Sequence, residues 1–272
     1  MPGEPVGDIV GRLRAAGCVY AEQEAELLIS AAGGAAGGAA ELARMVERRI
    51  AGLPLEHVLG WAEFCGIRVA VEPGVFVPRR RTELMVDQAA ELLGAVESGG
   101  EAIVADLCCG SGAIGMVLAT RMDRLELHAA DLDPAAVRCA RRNIADVGGR
   151  VYEGDLFEPL PDRLRGRIDV LIANTPYVPT EKIALMPAEA RLHEPRVALD
   201  GGADGLDAQR RVAAAAPYWL TPGGHVLVET GEDQAVVAVD MFGRNGLLTR
   251  VVGSDELGAT VVIGRLPLDG SR

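Results

Sequence analysis

The tetrapeptide Asn174-Thr175-Pro176-Tyr177 closes an apolar run, Ile168 to Ala173, that reads as a buried strand. The Asn side chain offers one acceptor oxygen. A residue before proline is pushed toward extended backbone, which turns the Thr175 carbonyl outward as a second acceptor. A planar –NH2 group carries two protons, and these two acceptors match them. The Tyr177 ring can lie against the flat group so held. The chemistry this arrangement suits is group transfer to a planar amide or amine. Asn and Pro are also common in ordinary turns after strands, so the tetrapeptide alone does not decide.

A second stretch upstream decides. Asp106-Leu107-Cys108-Cys109-Gly110-Ser111-Gly112 follows a strand and opens a helix. Its glycines let backbone approach a ligand closely. Asp131, nineteen residues beyond Gly112, ends the next strand, where an acidic residue takes ribose hydroxyls in nucleotide-binding sheets. Leu132 follows it, and Asp133-Pro134 starts a helix as N-cap and first position. Gly154-Asp155-Leu156 ends a third strand, where Asp155 suits an adenine amino group, and Asn174 ends a fourth. Polar residues at four strand ends in series point to one shared ligand. There is no second phosphate-binding feature, and Asp106 would repel a pyrophosphate. A ribose and a cationic centre fit better, which is the chemistry of S-adenosylmethionine. Cys108 and Cys109 resemble a nucleophilic pair, but no nearby His or Lys activates them. His57, His128, His193 and His225 are too scattered in sequence to suggest a metal site.

The elements that must position these residues follow from periodicity. Residues 4–60 read as helical: Asp8 to Ala16, Ala21 to Ala32 with Glu22, Glu24 and Glu26 solvated, and Leu42 to Ile50. Gly33 to Gly38 is a flexible break. Phe64 to Val71 alternates like a strand, Pro73-Gly74 is a turn signal, and Val75-Phe76-Val77 reads as a second strand of a hairpin. Thr82 is expected as the N-cap of a helix running to about Val96. From residue 100, strands at Ile103–Leu107, Leu125–Leu132, Arg150–Glu153, Ile168–Ala173 and His225–Glu229 alternate with helices. Leu248–Val252 and Ala259–Leu266 form a closing antiparallel pair. This predicts an α/β fold with a doubly wound, mainly parallel sheet, and ligands at the carboxyl ends of its strands. The expected organisation is a helical unit over 1–60, a hairpin linker over 61–81 and a catalytic domain over 82–272.

Composition narrows the functional classes. The 272 residues carry a formal net charge of −12, and Lys182 is the only lysine. Broad binding to nucleic-acid phosphates is disfavoured. Five cysteines, an odd number without paired-ligand spacing, indicate reduced thiols in a cytoplasmic protein. No signal peptide and no membrane-spanning run is expected. Arg79-Arg80-Arg81 reads equally well as a solvated run or as a contact for an anionic partner.

Taken together, these motifs resemble the HemK/PrmC family of protein-(glutamine-N5) methyltransferases. The resemblance also draws on Phe76-Val77-Pro78-Arg79 with Thr82-Glu83, and on His193-Glu194-Pro195 through Leu199-Asp200-Gly201-Gly202, and it covers nearly the whole chain. It implies a seven-stranded Rossmann-like sheet with the last strand antiparallel, S-adenosylmethionine as methyl donor, and a release-factor Gly-Gly-Gln loop as substrate. It assigns the target amide to Asn174, Thr175, Pro176 and Tyr177, with Phe76 beside the substrate glutamine. Cofactor contacts fall to Asp106, Cys108, Gly110, Gly112, Asp131, Leu132, Asp155, Leu156 and Asn174. Three positions depart from the family pattern. Thr175 stands for the first proline of Asn-Pro-Pro-Tyr, Cys108 for a usual glycine, and Arg81 for an acidic residue, which is expected to change a surface on the substrate side. A divergent paralogue acting on another protein, an adenine-N6 methyltransferase and a non-catalytic cofactor-binding module are the alternatives.

Overall fold

The computed structural model describes residues 6–33, 38–94 and 101–268. The expected loop over Gly33–Gly38 therefore falls largely outside the described residues, as does the end of the helix expected to reach Val96. The chain begins with helices α1 (Val6–Ala15), α2 (Ala21–Gly33), α3 (Gly38–Ile50) and α4 (Leu55–Leu59). Ile9, Leu13, Ala25, Leu28 and Val46 recur at helical spacing and bury one shared core. Glu24, expected in solvent, is instead buried beside Arg49, with Arg49 Nε donating to Glu24 Oε2 at 2.6 Å. Helical spacing places Glu24 on the inner face, and the guanidinium compensates its burial. Arg49 also reaches Glu189, at 3.1 Å, on the short helix α8 (Ala188–His193).

The hairpin forms earlier than its sequence suggests. Strands β1 (Trp61–Phe64) and β2 (Ile67–Ala70) pair antiparallel across Cys65-Gly66. The run read as one strand is folded back on itself, because Gly66 takes the left-handed φ of +79° that a tight turn requires. Val75–Val77 is irregular rather than a strand, although Val75 and Val77 are buried. Thr82 is not a helix cap. It lies in a single 3-10 turn, Arg80–Thr82, before α5 (Glu83–Gly94).

The remainder matches the doubly wound expectation. It runs β3 (Ala102–Leu107), α6 (Ala113–Arg121), β4 (Leu125–Asp131), α7 (Pro134–Ile144), β5 (Arg150–Glu153), β6 (Ile168–Ala173), α8, α9 (Asp207–Trp219), β7 (Leu220–Thr230), α10 (Ala235–Arg244), β8 (Leu248–Ser254) and β9 (Ala259–Arg265). The seven strands order as β5-β4-β3-β6-β7-β9-β8, with β9 antiparallel to both its neighbours. In β6, Val170 and Ile172 pack with α5 and α6, while Leu171 and Ala173 pack with α9 and α10. Both sheet faces are covered, so the strand reads as an apolar run broken only by Asp169, which accepts the Ile103 N–H at 2.8 Å.

Register then levels the strand ends. Leu107 pairs with Ala130 on one side and Ala173 on the other, and Ala173 pairs with Val228. The next residues, Cys108, Asp131, Asn174 and Glu229, therefore emerge at one height along one edge.

The Arg49–Glu24 pair predicts a stability effect. Replacing Glu24 by Ala leaves a mostly buried guanidinium with only the more exposed Glu189 as its ion-pair partner. The expected loss is about 3 kcal/mol, as for a broken buried pair, read as a lowered urea midpoint with unchanged slope.

Candidate active site

Three of the levelled strand-end residues, Cys108, Asp131 and Asn174, line one cavity of about 790 Å3, within the range of roughly 300–1,000 Å3 typical of ligand sites. At one end, the β3–α6 turn is built around Asp131. Its carboxylate accepts the N–H of Gly110 at 2.8 Å and the N–H of Asp133 at 2.9 Å. Asp133 caps α7 by accepting from the Ala135 N–H at 2.8 Å, as its sequence predicts. Burial raises the Asp131 carboxyl above its ordinary range, and the backbone donors oppose that shift. A Cβ added to Gly110 would meet no protein atom within 4 Å, so bare backbone faces open space. Cys108 lines the cavity with φ +53°, the left-handed conformation that costs glycine nothing, which explains why glycine is usual at this position. Burial pushes the Cys108 and Cys109 thiols well up, so neither is a thiolate nucleophile near neutral pH.

Cys108, Gly110, Asp131, Leu132, Asp155, Leu156 and Asn174 all line the cavity. Asp106 and Gly112 are not among its lining residues. Asp106 is fully buried beneath the turn, where one oxygen accepts the Gly115 N–H at 3.1 Å and the other has no partner. Gly112 is a packing residue, because a Cβ there would press on Ala140 at 3.1 Å. Asp155 is held by both terminal nitrogens of Arg211, at 3.0 and 2.9 Å. Arg211 also lines the cavity, and sequence reading missed it because it sits within α9 beside another arginine, Arg210, with no motif around it.

At the other end stand Phe76, Asn174, Thr175, Pro176 and Tyr177. The Asn174 carboxamide is half-buried and makes no hydrogen bond to another described residue. Thr175 is buried, and its hydroxyl has no partner. The tetrapeptide is fixed from behind. Val178 bridges Asp200 in parallel, and Gly205 packs so closely that a Cβ would sit 2.2 Å from the Tyr177 carbonyl oxygen. Gln234 Nε2 donates to that same oxygen at 2.9 Å. The Gly201–Gly205 loop is the support on which the tetrapeptide rests. Gln234, five residues beyond Glu229, had no motif to mark it.

The arginine run is not solvated as a whole, because each arginine meets a carboxylate. Arg79 pairs with the buried Glu194 at 2.5 Å, and its guanidinium stacks 5.1 Å from the Phe76 ring centre. Arg80 meets Glu256 at 3.2 Å on the surface. Arg81 Nε lies 3.3 Å from Glu229 Oε1, so this departure answers an internal carboxylate rather than only changing a surface.

The cavity suits S-adenosylmethionine. Carboxylates at Asp131 and Asp155 offer acceptors for hydroxyl and amino groups, and Leu132, Ile114 and Leu156 offer apolar faces for a base. The acidic surroundings favour a cation over a pyrophosphate. A doubly wound sheet with these strand ends around one cavity defines a Rossmann-like, S-adenosylmethionine-dependent methyltransferase.

The family model for the methyltransferase small domain matches residues 66–204. A release factor glutamine methyltransferase of Geobacter sulfurreducens is 39% identical over 222 residues, covering 81% of this chain and 75% of its own. One from Moorella thermoacetica is 37% identical over 257 residues, covering 88% of each. The chain belongs to the release factor glutamine methyltransferase family. Among solved structures, a Pyrococcus furiosus methyltransferase superposes with a TM-score of 0.53 at 17% identity, covering 75% of this chain and 90% of its own, and so shares the fold.

Asp106 yields a pH prediction. Burial raises its folded pKa from 3.8 to about 7. Between those values the folded chain holds a proton that the unfolded chain has released. Stability therefore falls as pH rises through that window and levels off above it. Asp106→Asn cannot ionise and removes this contribution. Urea midpoints across the window should decline more for the wild type than for D106N, and parallel profiles would contradict the assignment.

Proposed function

We propose that this enzyme transfers a methyl group from S-adenosylmethionine to the side-chain amide nitrogen (N5) of a glutamine in the Gly-Gly-Gln loop of a peptide chain release factor. The observation that carries the reading is the uncommitted Asn174 carboxamide on the wall of the cavity that the acidic strand ends also line. The names of the relatives support the choice of substrate. The enzyme acts in the cytoplasm. Among the described residues no helix is long and apolar enough to cross a membrane. The helical unit over 1–60 serves as a substrate-docking domain, joined to the catalytic domain by the 61–81 linker.

A carboxamide nitrogen is a poor nucleophile because its lone pair is delocalised. S-adenosylmethionine supplies an activated methyl on a sulfonium. The Asn174 Oδ1 and the Thr175 carbonyl accept the two amide N–H bonds and fix the direction of the nitrogen lone pair. Positioning of this kind contributes up to roughly 7–11 kcal/mol in ideal intramolecular cases. As positive charge grows on the nitrogen, the same two acceptors stabilise it without reorganising. The proton then leaves to water. Tyr177 and Phe76 flank the side chain. Thr175 performs the backbone role of the usual proline, since Pro176 still restrains it. An exocyclic adenine amine has the same shape, but the chain's charge of −12 opposes a phosphate-rich substrate.

Intact-mass spectrometry of a release factor incubated with enzyme and cofactor should show one added methyl, absent when the loop glutamine is Ala. Asn174→Ala should lower turnover by about 100-fold or more, the scale for losing one preorganised polar group at a reacting centre. Its cofactor affinity should persist, and a parallel loss of cofactor binding would make Asn174 a structural residue instead.

A further inference from the structure

Glu229 emerges from β7 beside Asn174, because Val228 is paired with Ala173. It is 1% exposed and does not line the cavity, yet its carboxylate joins the two segments that do. The Tyr177 hydroxyl donates to Oε1 at 2.7 Å, and the Thr82 hydroxyl donates to Oε2 at 2.8 Å. Arg81 Nε stands 3.3 Å from Oε1, with its guanidinium 5.8 Å from the Tyr177 ring centre. The Glu229 backbone carbonyl is itself held by Gln209 Nε2 at 2.9 Å. One segment, Phe76 to Thr82, carries the aromatic on one side of the substrate end. The other, Asn174 to Tyr177, carries the acceptors and the second aromatic.

A buried carboxylate is costly without donors. Here the donors come from both walls, so satisfying the charge fixes the distance between them. We propose that Glu229 is a positioning residue, a clamp that sets the spacing of Phe76 and Tyr177 around the target amide. Arg81 supplies the compensating charge. Burial and the adjacent Glu229 also raise the Tyr177 hydroxyl above its ordinary pKa, which keeps it a donor to the clamp. Gln234 pins the Tyr177 backbone while Glu229 pins its ring, so the residue is held at both ends. This inference rests on the proposed amide-methylating activity.

The test is a double-mutant cycle with Glu229→Gln and Tyr177→Phe, assayed on a release factor. Each single change should lower kcat roughly 10- to 100-fold, as expected for misplaced reacting groups. Cofactor Kd should stay within about twofold, since Glu229 lies outside the cavity wall. The double variant should be no worse than the poorer single, the mark of residues acting through one contact. Additive losses, or weakened cofactor binding with kcat intact, would overturn the clamp. A second cycle, Thr82→Val with Tyr177→Phe, leaves the carboxylate in place and should also be non-additive. If E229Q does not fold, this cycle decides. A substrate-free readout separates failure of the clamp from failure of the substrate assignment. In fluorotyrosine-labelled protein, the Tyr177 fluorine resonance, assigned by its loss in Y177F, should move in E229Q. A wild type that binds cofactor but methylates no release factor sinks the substrate assignment. The fluorine shift then decides whether Glu229 holds Tyr177, and an unmoved resonance rejects it.

Discussion

Parallel register is the constraint on which the site depends. Hydrogen bonding of β3 to both β4 and β6, and of β6 to β7, fixes Leu107, Ala130, Ala173 and Val228 in one row. Each strand is buried on both faces, so a slip by one residue would send every inward side chain to the wrong layer. The core thus enforces the row, and the row enforces the site. The residues one step beyond it converge on the cavity or directly behind it, although they lie up to 121 positions apart in sequence (108 to 229). No loop has to find its own place before the strand ends are level.

Above that row, the site divides into two halves with different physical support. The half proposed to take the cofactor is held by backbone: Asp131 gathers the N–H groups of Gly110 and Asp133 and so shapes the glycine turn. Its acidic side chains and apolar faces suit a cation with a flat base. The half proposed to take the substrate is held by packing and by buried charge. Gly205 lets two backbone segments touch, Gln234 ties the Tyr177 carbonyl, and Glu194 and Glu229 draw Arg79 and Arg81 inward. Two arginines of the run, Arg79 and Arg81, thereby brace this half from within, while Arg80 stays on the surface. Arg79 and Arg81 have most of their charge answered by carboxylates that sequence distance had hidden.

The departures from the family pattern fall into place on this frame. The Thr175 side chain is buried, and its hydroxyl has no partner. Cys108 adopts the left-handed backbone that the turn demands of whichever residue stands there. Arg81 meets Glu229 at the base of the substrate end. Arg81 alone of the three gains a charged partner, and the cavity remains lined by Cys108, Asp131 and Asn174.

The sequence by itself determined the sheet, because mostly apolar runs and alternating helical periods are local signals that tertiary context did not overturn. It also marked Asn174, Asp131 and Asp155, since a polar residue closing an apolar strand is visible in one dimension. It misread Phe64–Val71 and Val75–Val77, where a left-handed Cys65-Gly66 turn folds a strand back and a buried but irregular stretch mimics alternation. It placed Glu24 in water and Asp106 at the ligand, because charge alone does not say which side of an element faces the core. Glu229, Gln234 and Arg211 carry no motif and became legible only when long-range pairing set them beside Tyr177 and Asp155. A strand's type is written in its own residues. Which buried carboxylate meets which distant donor is decided by register between strands, and that is a property of the folded sheet alone.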